Sequence, residues 1–428
     1  MKYINRIVGL IGLSIFFSAG AATPIKNISS KELIKDMKIG WSLGNTMDAT
    51  CYEQMDYSVD PTGSETCWVG IKTTPELYQK LNELGFNVFR IPTTWTGHFG
   101  DAPDYKINEE WMKRVHEIVD YALSTGSYAI LNLHHETWNY AFAENVEKAK
   151  IIIRAIWTQI ANEFSEYDEH LLFEGSNEPR KVDTEVEWNG GDEEGWNAVN
   201  EMNAEFIKTV RATGGNNLLR HLLIPTYAAS AEEIALAHVA YPTDDDKVIV
   251  SVHAYSPYEF ALKPDGLEDT TAIFNNSTKL DIAMRDIDNH LRSKNIPVIM
   301  GEFGSVDRNN EEERAKWAEY YVSKATALGI PCVLWDNNEF EGDGERLGLF
   351  DRATQEIKYP IYYEGLMKGL QGKEKVVPST PVTCNSNDLK CKILLAKNCY
   401  FNVYQCWKNE KDIEKCNQMN QDCFEIWA

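Results

Sequence analysis

Short apolar runs recur along the chain at intervals of roughly 30 to 45 residues, and each run ends in polar or charged residues. The runs are apolar throughout instead of alternating between apolar and polar positions, which is typical of strands that are covered on both faces. Eight segments have this pattern: 39–45, 86–92, 128–135, 171–179, 222–230, 248–255, 297–304 and 331–338.

The segments between these predicted strands have helical periodicity. In 111–124, apolar residues recur at the i, i+3, i+4 and i+7 positions that share one face of a helix, and 146–164 repeats the pattern with isoleucines. Gly85 and Gly329 stand just before the next strand, where a helix is expected to end.

Strand and helix alternate eight times in roughly 330 residues, which predicts an α/β protein with a (β/α)8, or TIM, barrel. An open doubly wound sheet is the alternative. The barrel is favoured because every predicted strand ends in polar residues. A barrel gathers all of these ends on one face, whereas an open sheet gathers them only near the point where the strand order reverses.

The two ends of the chain differ in character from the middle. Residues 1–22 combine a basic start, a short apolar core and small residues, which predicts a signal peptide and a secreted, extracellular protein. Residues 23–370 form the predicted barrel domain, and 371–383 reads as a proline-containing linker. Residues 384–428 hold six of the nine cysteines and predict a small disulfide-rich module whose pairing stays open.

Charge and composition narrow the class of partner. The formal net charge of −23 argues against nucleic acid, because a phosphate-binding surface needs clustered Lys and Arg. After residue 22 the sequence has no run of 18 uninterrupted apolar residues, so no membrane partner is expected. An acidic secreted protein fits a neutral polymer as substrate. The catalytic domain is expected to be monomeric.

Two glutamates end opposite strands of the predicted barrel: Glu178 follows the fourth strand and Glu302 the seventh. Hydrolysis of a glycosidic bond needs one protonated carboxyl group for the leaving oxygen and one ionised group to attack the anomeric carbon or activate water. Arg90 and Tyr255 end two further strands and are expected to hold Glu302 as an anion. A structural role, as a helix cap or as the partner of an arginine, would account for either glutamate alone. It does not account for both glutamates together with Arg90 and Tyr255.

The chain resembles glycoside hydrolase family 5, in the branch that contains endoglucanases and xyloglucan-active enzymes. The likeness covers residues 39 to about 367 and rests on a highly specific ordered set of motifs. They are "GWSLGNTMDA", "GFNVFRIPTTW", "ILNLHHE", "FEGSNEPR", "TVRATGGNN", "SVHAYSPYEFA", "PVIMGEFG" and "LWDNNEF".

The resemblance implies a retaining endo-β-1,4-glucanase that cuts cellulose and related β-glucans through a glycosyl-enzyme intermediate. Glu178 would be the acid/base and Glu302 the nucleophile, with about 5–5.5 Å between their carboxyl groups. The same mechanism on xyloglucan, mixed-linkage glucan or mannan is the nearest alternative. A non-catalytic polysaccharide-binding barrel is the alternative of another class.

Further positions match the family around the cleaved bond: Arg90, His134, Asn177, His253, Tyr255 and Trp335. Asn45 is expected to bind a distal sugar, and His135 is added because the turn after the third strand can let both histidines reach substrate. Two residues depart from the family pattern. Ala254 stands where an aromatic residue is common, and Asn338 stands where glycine is usual, which leaves the preferred polymer open.

No metal or organic cofactor is expected, since two carboxylates are sufficient for hydrolysis. His134 and His135 would point to opposite faces of a regular strand, so the pair does not predict a zinc site. Cys51 and Cys67 bracket a loop after the first strand, where a disulfide would stabilise the fold by about 3 kcal/mol and stiffen a wall of the cleft.

Two groups of residues keep open alternatives. Five tryptophans fall on the loops after strands one to four and predict either outer sugar subsites or ordinary packing: Trp68, Trp95, Trp138, Trp188 and Trp196. The C-terminal module predicts docking to a protein scaffold, because it is charged and has few aromatic residues. Its placement resembles the cysteine-rich docking domains of anaerobic fungal cellulases, although their usual Gly-Trp-rich motif is absent. A carbohydrate-binding module and an inert stapled tail are the alternatives.

Overall fold

Eight parallel strands close into a barrel in the order of the sequence, which confirms the predicted (β/α)8 fold. The computed structural model describes residues 24–372. The predicted signal peptide, all but the first two residues of the predicted linker and the whole cysteine-rich module lie outside the described residues. The barrel strands are β1 (Ile39–Leu43), β2 (Val88–Ile91), β3 (Tyr128–Asn132), β4 (Leu171–Glu174), β5 (Leu222–Ser230), β6 (Val248–His253), β7 (Val298–Phe303) and β8 (Cys332–Asp336).

Helices alternate with the barrel strands. They are α1 (Ser30–Leu33), α2 (Ser64–Cys67), α3 (Pro75–Glu83), α4 (Glu109–Leu123), α5 (Val146–Glu163), α6 (Glu193–Ala212), α7 (Glu233–His238), α8 (Tyr258–Ala261), α9 (Thr278–His290), α10 (Glu311–Ala327) and α11 (Pro360–Gly369). A short antiparallel pair, β9 (Phe350–Asp351) and β10 (Glu356–Ile357), follows β8. Between residues 24 and 372, no helix combines the length and the apolar character that crossing a bilayer requires.

The helix signals in the sequence have direct structural causes. Asn108 begins α4 by accepting hydrogen bonds from the backbone N–H groups of Glu110 and Trp111. The i, i+3, i+4 stripe that includes Val115 and Ile118 is buried against the barrel. Helices α4 and α5 therefore lie where the periodicity predicts them, with ends that differ by one or two residues.

The barrel interior changes from apolar to polar along several of its strands. Leu172 lies in the apolar cluster of the interior, and Glu174, two residues further along β4, lies in a polar network. Val88 and Arg90 of β2 make the same change. Because side chains two residues apart share one side of a strand, the same strands supply both an apolar base and a polar upper layer.

A plug of apolar side chains closes the end of the barrel at which the strands begin. It contains one or two residues from most strands together with three from α1 and the turn that follows it: Leu33, Ile34, Met37, Val88, Tyr128, Ile130, Leu172, Leu223, Ile249, Ile299 and Val333. We call this set the apolar plug. All of its members are buried, and with this end closed the polar strand ends at the opposite end are left to form the site.

Candidate active site

Arg90 organises the polar layer above the plug. Its guanidinium is fully buried and reaches three partners: Nε donates to Glu174 Oε2 at 2.7 Å, Nη1 to Glu302 Oε1 at 2.6 Å and Nη2 to Asn177 Oδ1 at 2.7 Å. A planar guanidinium with several fixed N–H groups suits this arrangement, whereas an ammonium group could not span it. Arg90 therefore positions both the glutamate at the end of β7 and the amide beside Glu178.

Glu302 is held by contacts at both of its carboxylate oxygens. Arg90 binds Oε1, and the Tyr255 hydroxyl donates to Oε2 at 3.0 Å. Gly301 precedes Glu302, and a Cβ atom there would lie 2.4 Å from Ser251 Oγ. Glycine at 301 therefore lets β7 pass close to β6 while Glu302 turns into the mouth of the barrel.

Glu178 lies opposite Glu302, and His253 lies between them. His253 Nδ1 is 2.8 Å from Glu178 Oε1 and 3.7 Å from Glu302 Oε2. One carboxylate oxygen from each glutamate and one His253 ring nitrogen all lie within 4.8 Å of one another. Of the three side chains, Glu178 is the most accessible, with 18% of its side chain exposed.

The electrostatic environment couples Glu178 to His253. Burial would raise the pKa of Glu178, but the hydrogen bond from His253 and the positive charge of that ring outweigh burial and lower this pKa. For His253 the balance is reversed in sign. Burial would lower its pKa, but the negative charge of Glu302 and the bond to Glu178 raise it. The two directions together favour a protonated His253 that is hydrogen-bonded to an ionised Glu178, next to a second carboxylate.

The remaining predicted residues line the same mouth. His134 is buried, and its ring is stacked parallel to the Trp335 indole with 5.5 Å between ring centroids. Burial lowers the pKa of His134 well below its ordinary value, so this ring is neutral. Asn45 is half-buried at the end of β1 in the left-handed region, with φ 59°, and its N–H donates to Asp48 Oδ2 at 3.0 Å.

His134 and His135 do not obey the strand periodicity that the sequence suggests. Strand β3 ends at Asn132, so both histidines lie in the turn that follows it, and their ring centroids are 4.4 Å apart. The expectation of opposite faces was made for a regular strand, and it does not apply here because β3 ends before both histidines. The expectation that the turn brings both toward the cleft describes the geometry better, since His135 is exposed and His134 is stacked on Trp335.

The two departures from the family pattern have simple structural settings. Asn338 has φ 58°, in the left-handed region that glycine adopts freely and asparagine tolerates. Ala254 is buried, and its N–H donates to the Glu302 carbonyl at 3.1 Å. Neither residue disturbs the two glutamates.

Three supporting residues were missed in the sequence. Glu174 is fully buried and accepts hydrogen bonds from Arg90, from Asn132 Nδ2 at 3.1 Å and from Ser251 Oγ at 2.7 Å. Each of the three lies two residues beyond a member of the apolar plug on its own strand. A polar residue at that spacing inside an otherwise apolar run is the signal that would have identified them.

Ligand-type side chains come together at three places in residues 24–372. The groups are Glu178 with His253 and Glu302, Asp48 with His134 and His135, and Asp168 with Glu169 and His170. The ligand atoms within each group lie within 4.8 Å of one another and could hold a metal ion. Protein hydrogen bonds already occupy many of these atoms: Asp48 accepts from the N–H groups of Asn45 and Thr46.

The five tryptophans that follow strands one to four differ in how exposed their side chains are. Trp95 is fully buried, and Trp138 and Trp196 are half-buried with their indole N–H groups hydrogen-bonded within the protein. Trp68 and Trp188 are exposed, at 40% and 57%. Cys51 and Cys67 are joined by a disulfide with their Cα atoms 6.6 Å apart.

Comparisons with known proteins agree with this geometry. The family model described as cellulase, glycosyl hydrolase family 5, matches residues 52–341. Endoglucanase B of Neocallimastix patriciarum is 60% identical over 370 residues, which are 86% of this chain and 77% of that protein.

Two solved structures share the fold over most of the chain. A broad-specificity endoglucanase from Ruminococcus champanellensis with bound cellotriose has a TM-score of 0.78 and 42% identity, covering 81% of this chain and all of that one. A xyloglucan-specific endo-β-1,4-glucanase from a metagenomic library, in complex with cellotriose, has a TM-score of 0.74 and 38% identity, covering 78% of this chain and 97% of that one.

Proposed function

The chain belongs to the cellulase family, glycosyl hydrolase family 5, and from that premise we propose that it is a retaining endo-β-1,4-glucanase. It cuts internal bonds of cellulose and related β-glucans. Glu302 is the nucleophile and Glu178 is the acid/base. The observation that carries this assignment is the approach of the two carboxylates, whose nearest oxygens lie within 4.8 Å.

The distance between the carboxylates supports retention of configuration. Retaining enzymes have carboxyl groups about 5–5.5 Å apart, whereas inverting enzymes need about 6.5–9.5 Å to leave room for a water molecule. The contacts of Glu302 with Arg90 and Tyr255 aim it across the mouth toward Glu178. Direct attack by Glu302 on the anomeric carbon fits this spacing better than attack by an activated water.

The first step transfers the sugar to the protein. Glu302 attacks the anomeric carbon and forms an ester, while Glu178 gives its proton to the glycosidic oxygen, so the leaving chain departs as an alcohol. In the second step, water attacks the same carbon, Glu178 takes a proton from that water, and the ester breaks to regenerate the Glu302 carboxylate. Two inversions at one carbon give net retention.

The contact with His253 supports the two roles of Glu178, as an acid in the first step and as a base in the second. In the free protein, these pKa directions place the proton on His253 Nδ1 and leave Glu178 ionised. Glu178 therefore takes up this proton from His253 before it protonates the leaving oxygen, and the proton that it later takes from water restores His253. Once Glu302 has become a neutral ester, a negative charge next to Glu178 is gone. The Glu178 carboxylate is then easier to keep ionised, which suits its second role as a base.

The upper layer supplies the sugar contacts. Asn177 is oriented by Arg90 and can bind a sugar 2-hydroxyl next to the cleaved bond. The Trp335 indole offers an apolar face to a pyranose ring, while Asn45, His134 and His135 offer hydrogen bonds around it. We infer a broad preference among β-1,4-linked glucans, which is supported by the broad-specificity and xyloglucan-specific enzymes among the similar structures.

Substitution of each glutamate tests the assignment. Glu302→Gln and Glu178→Gln keep the size of the side chain, and each is expected to lower kcat on carboxymethylcellulose by at least about 10⁴-fold. On a substrate whose leaving group needs no proton, such as an aryl cellobioside with an acidic phenol, Glu178→Gln should retain far more activity in the first step than Glu302→Gln. Equal loss by both variants on that substrate would contradict the separate roles.

The competing function is binding without hydrolysis. If the barrel only binds polysaccharide, the unmodified protein and Glu302→Gln should both release almost no reducing sugar from the polymer. Measured release on carboxymethylcellulose, lichenan, xyloglucan and mannan separates the two functions and also ranks the polymers.

Two further proposals concern the ends of the chain. We propose that residues 1–22 direct secretion and that residues 384–428 attach the enzyme to a protein scaffold. Pull-down of the full chain with secreted partner proteins and with cellulose tests the second proposal. Retention by cellulose alone, lost on deletion of 384–428, would instead favour a carbohydrate-binding module.

A further inference from the structure

Three Asn-x-Ser/Thr sequences, the acceptor pattern for N-linked glycans in secreted proteins, occur in the chain. They begin at Asn27, Asn275 and Asn276, and the last two overlap. All three asparagines are exposed. Exposure therefore does not distinguish the three sequences, but the hydrogen bonds within each of them differ.

The two sequences that end in serine use the serine hydroxyl within the protein. Ser29 Oγ accepts the N–H of Glu32 at 3.2 Å and so begins α1, while Ile28 packs against the apolar plug. Ser277 Oγ donates to Asp281 Oδ2 at 2.8 Å. In both sequences the hydroxyl that belongs to the acceptor pattern already has a structural role.

The sequence that begins at Asn276 leaves its two chemical groups free. Asn276 Oδ1 accepts the N–H of Thr278 at 2.9 Å, which closes a tight turn over the three residues of the pattern. Within residues 24–372, neither the Asn276 amide nitrogen nor the Thr278 hydroxyl has a hydrogen-bond partner. The nitrogen that would carry a glycan and the hydroxyl that marks the acceptor therefore lie unpaired in one exposed turn.

The position of this turn leaves room for a bulky group. Helix α9 begins at Thr278 and belongs to the outer ring of helices around the barrel. Just before the turn, the Phe274 N–H donates to Glu313 of α10 at 3.0 Å, which fixes the segment. Asn276 is not among the residues that line the mouth, so a glycan attached there would leave the two glutamates accessible to substrate.

Exposed apolar side chains lie in the same connection between β6 and α9. Ile273 is 57% exposed and Leu267 is 53% exposed, and Ile273 stands three residues before Asn276. Exposed apolar surface favours association between molecules, whereas a glycan is bulky and solubilising. A glycan on Asn276 would therefore shield a surface that is otherwise open to water.

We propose that Asn276 carries an N-linked glycan. This inference goes beyond the proposed glucanase function and rests only on the proposed secretion. The donor is a lipid-linked oligosaccharide of the secretory pathway. The Asn276 amide nitrogen attacks the anomeric carbon of that donor, a carbon–nitrogen bond replaces the bond to the lipid pyrophosphate, and the nitrogen loses one proton.

Mass spectrometry of the secreted protein tests the proposal. The full chain is secreted from a eukaryotic host that attaches N-linked glycans, digested with a protease and treated with peptide N-glycosidase in heavy-oxygen water. This treatment converts a glycosylated asparagine into an isotope-labelled aspartate, so the modified residue is identified directly. We expect the label at position 276.

Substitutions in the turn separate the two overlapping sequences. Thr278→Ala removes only the pattern that begins at Asn276 and is expected to abolish the label there, whereas Thr278→Ser keeps the pattern and should keep the label. Ser277→Ala is the matched control, because it removes only the pattern that begins at Asn275. Thermal melting and hydrolysis of carboxymethylcellulose show that each variant is folded, and kcat should be the same for all of them.

The outcomes separate this proposal from the proposed function. A secreted, active enzyme without label at Asn276, or with label only at Asn27 or Asn275, would overturn the glycan assignment and leave the glucanase function intact. Loss of the label in Ser277→Ala together with its retention in Thr278→Ala would also overturn the assignment. If the chain stays inside the cells, the proposed secretion fails and this inference fails with it.

Discussion

The two ends of the barrel interior are built from the same strands by opposite chemistry. At the base, the apolar plug fills the space with apolar side chains. Two residues further along the strands, Arg90, Asn132, Glu174 and Ser251 form a buried polar network. Burying apolar surface stabilises a fold, whereas burying charge is costly even when it is paired. The base therefore accounts for stability and the upper layer for geometry.

The same contrast holds for two buried histidines. His221, at the start of β5, is buried near Lys247, Arg211 and Arg220, and burial together with these positive charges lowers its pKa to about 4. His253, at the end of β6, lies between two glutamates, and its pKa is raised. The environment at the base therefore favours a neutral His221, whereas the environment at the mouth favours a protonated His253.

Among the substitutions in the upper polar layer, Arg90→Lys is expected to have the largest effect. A lysine cannot bond to Glu174, Glu302 and Asn177 together, so buried carboxylates lose a partner. We expect kcat/KM to fall by about 10² or more and the free energy of unfolding to fall by about 3 kcal/mol. Steady-state kinetics and urea unfolding measure the two effects. An active, fully stable variant would contradict the view of Arg90 as the organiser of the layer.

Leu172→Ala is expected to weaken the apolar plug at the base of the barrel. The substitution leaves a cavity in the apolar plug and is expected to cost about 2–5 kcal/mol of stability. Well below the melting temperature, kcat should be unchanged, because Leu172 belongs to the apolar plug and not to the polar network that holds Glu302. Loss of kcat in the folded variant would show that the two layers are coupled and would weaken the comparison.

Stability as a function of pH distinguishes the two histidines. His221 has a folded pKa of about 4 against an ordinary value of 6.5, so the unfolded chain takes up its proton first. Stability is lost as pH falls from 6.5 to about 4, by up to about 3 kcal/mol. His221→Asn should flatten this acid limb in melts monitored by circular dichroism.

His253 is expected to show the opposite sign. Its pKa is raised in the folded protein, so its contribution to stability is present below pH 6.5 and is lost as pH rises through the folded pKa. The stability difference between the unmodified protein and His253→Asn should therefore be largest at acidic pH and smaller at alkaline pH. Parallel curves for the two proteins would show that the proton on His253 adds no stability.

The smallest of these effects is expected for Tyr255→Phe. The substitution removes only the hydroxyl that donates to Glu302 Oε2 at 3.0 Å. A hydrogen bond to a charged group contributes about 1.5–3 kcal/mol, so kcat should fall by about 10- to 100-fold. The melting temperature should fall by a few degrees, because the same hydrogen bond is present in the folded protein. Unchanged kcat would remove Tyr255 from the support of the nucleophile.

The sequence predicted the barrel because its signal is repeated and strong. Eight apolar runs separated by helical periodicity leave few other folds, and the contacts of Glu302 with Arg90 and Tyr255 are of the kind that strand-end positions suggest. Residues at the ends of parallel strands converge in space even when they are distant in sequence.

The sequence could not predict what depends on registration between strands. Glu174 directly follows a short buried run in the sequence, and only the closed barrel shows that it faces Arg90 and Ser251. The turn that brings His134 and His135 together depends on where β3 ends, and strand ends are poorly marked in sequence. The closure of the base by α1 was missed because this helix has only four residues.

The most direct test of the central claim is to trap the covalent intermediate. A 2-fluoro cellobioside with a good leaving group forms the glycosyl ester quickly and hydrolyses it slowly, and mass spectrometry after proteolysis locates the added sugar. We expect the label on the peptide that contains Glu302, with no label in Glu302→Gln. A label on another carboxylate, or turnover that inverts the anomeric configuration, would contradict the account.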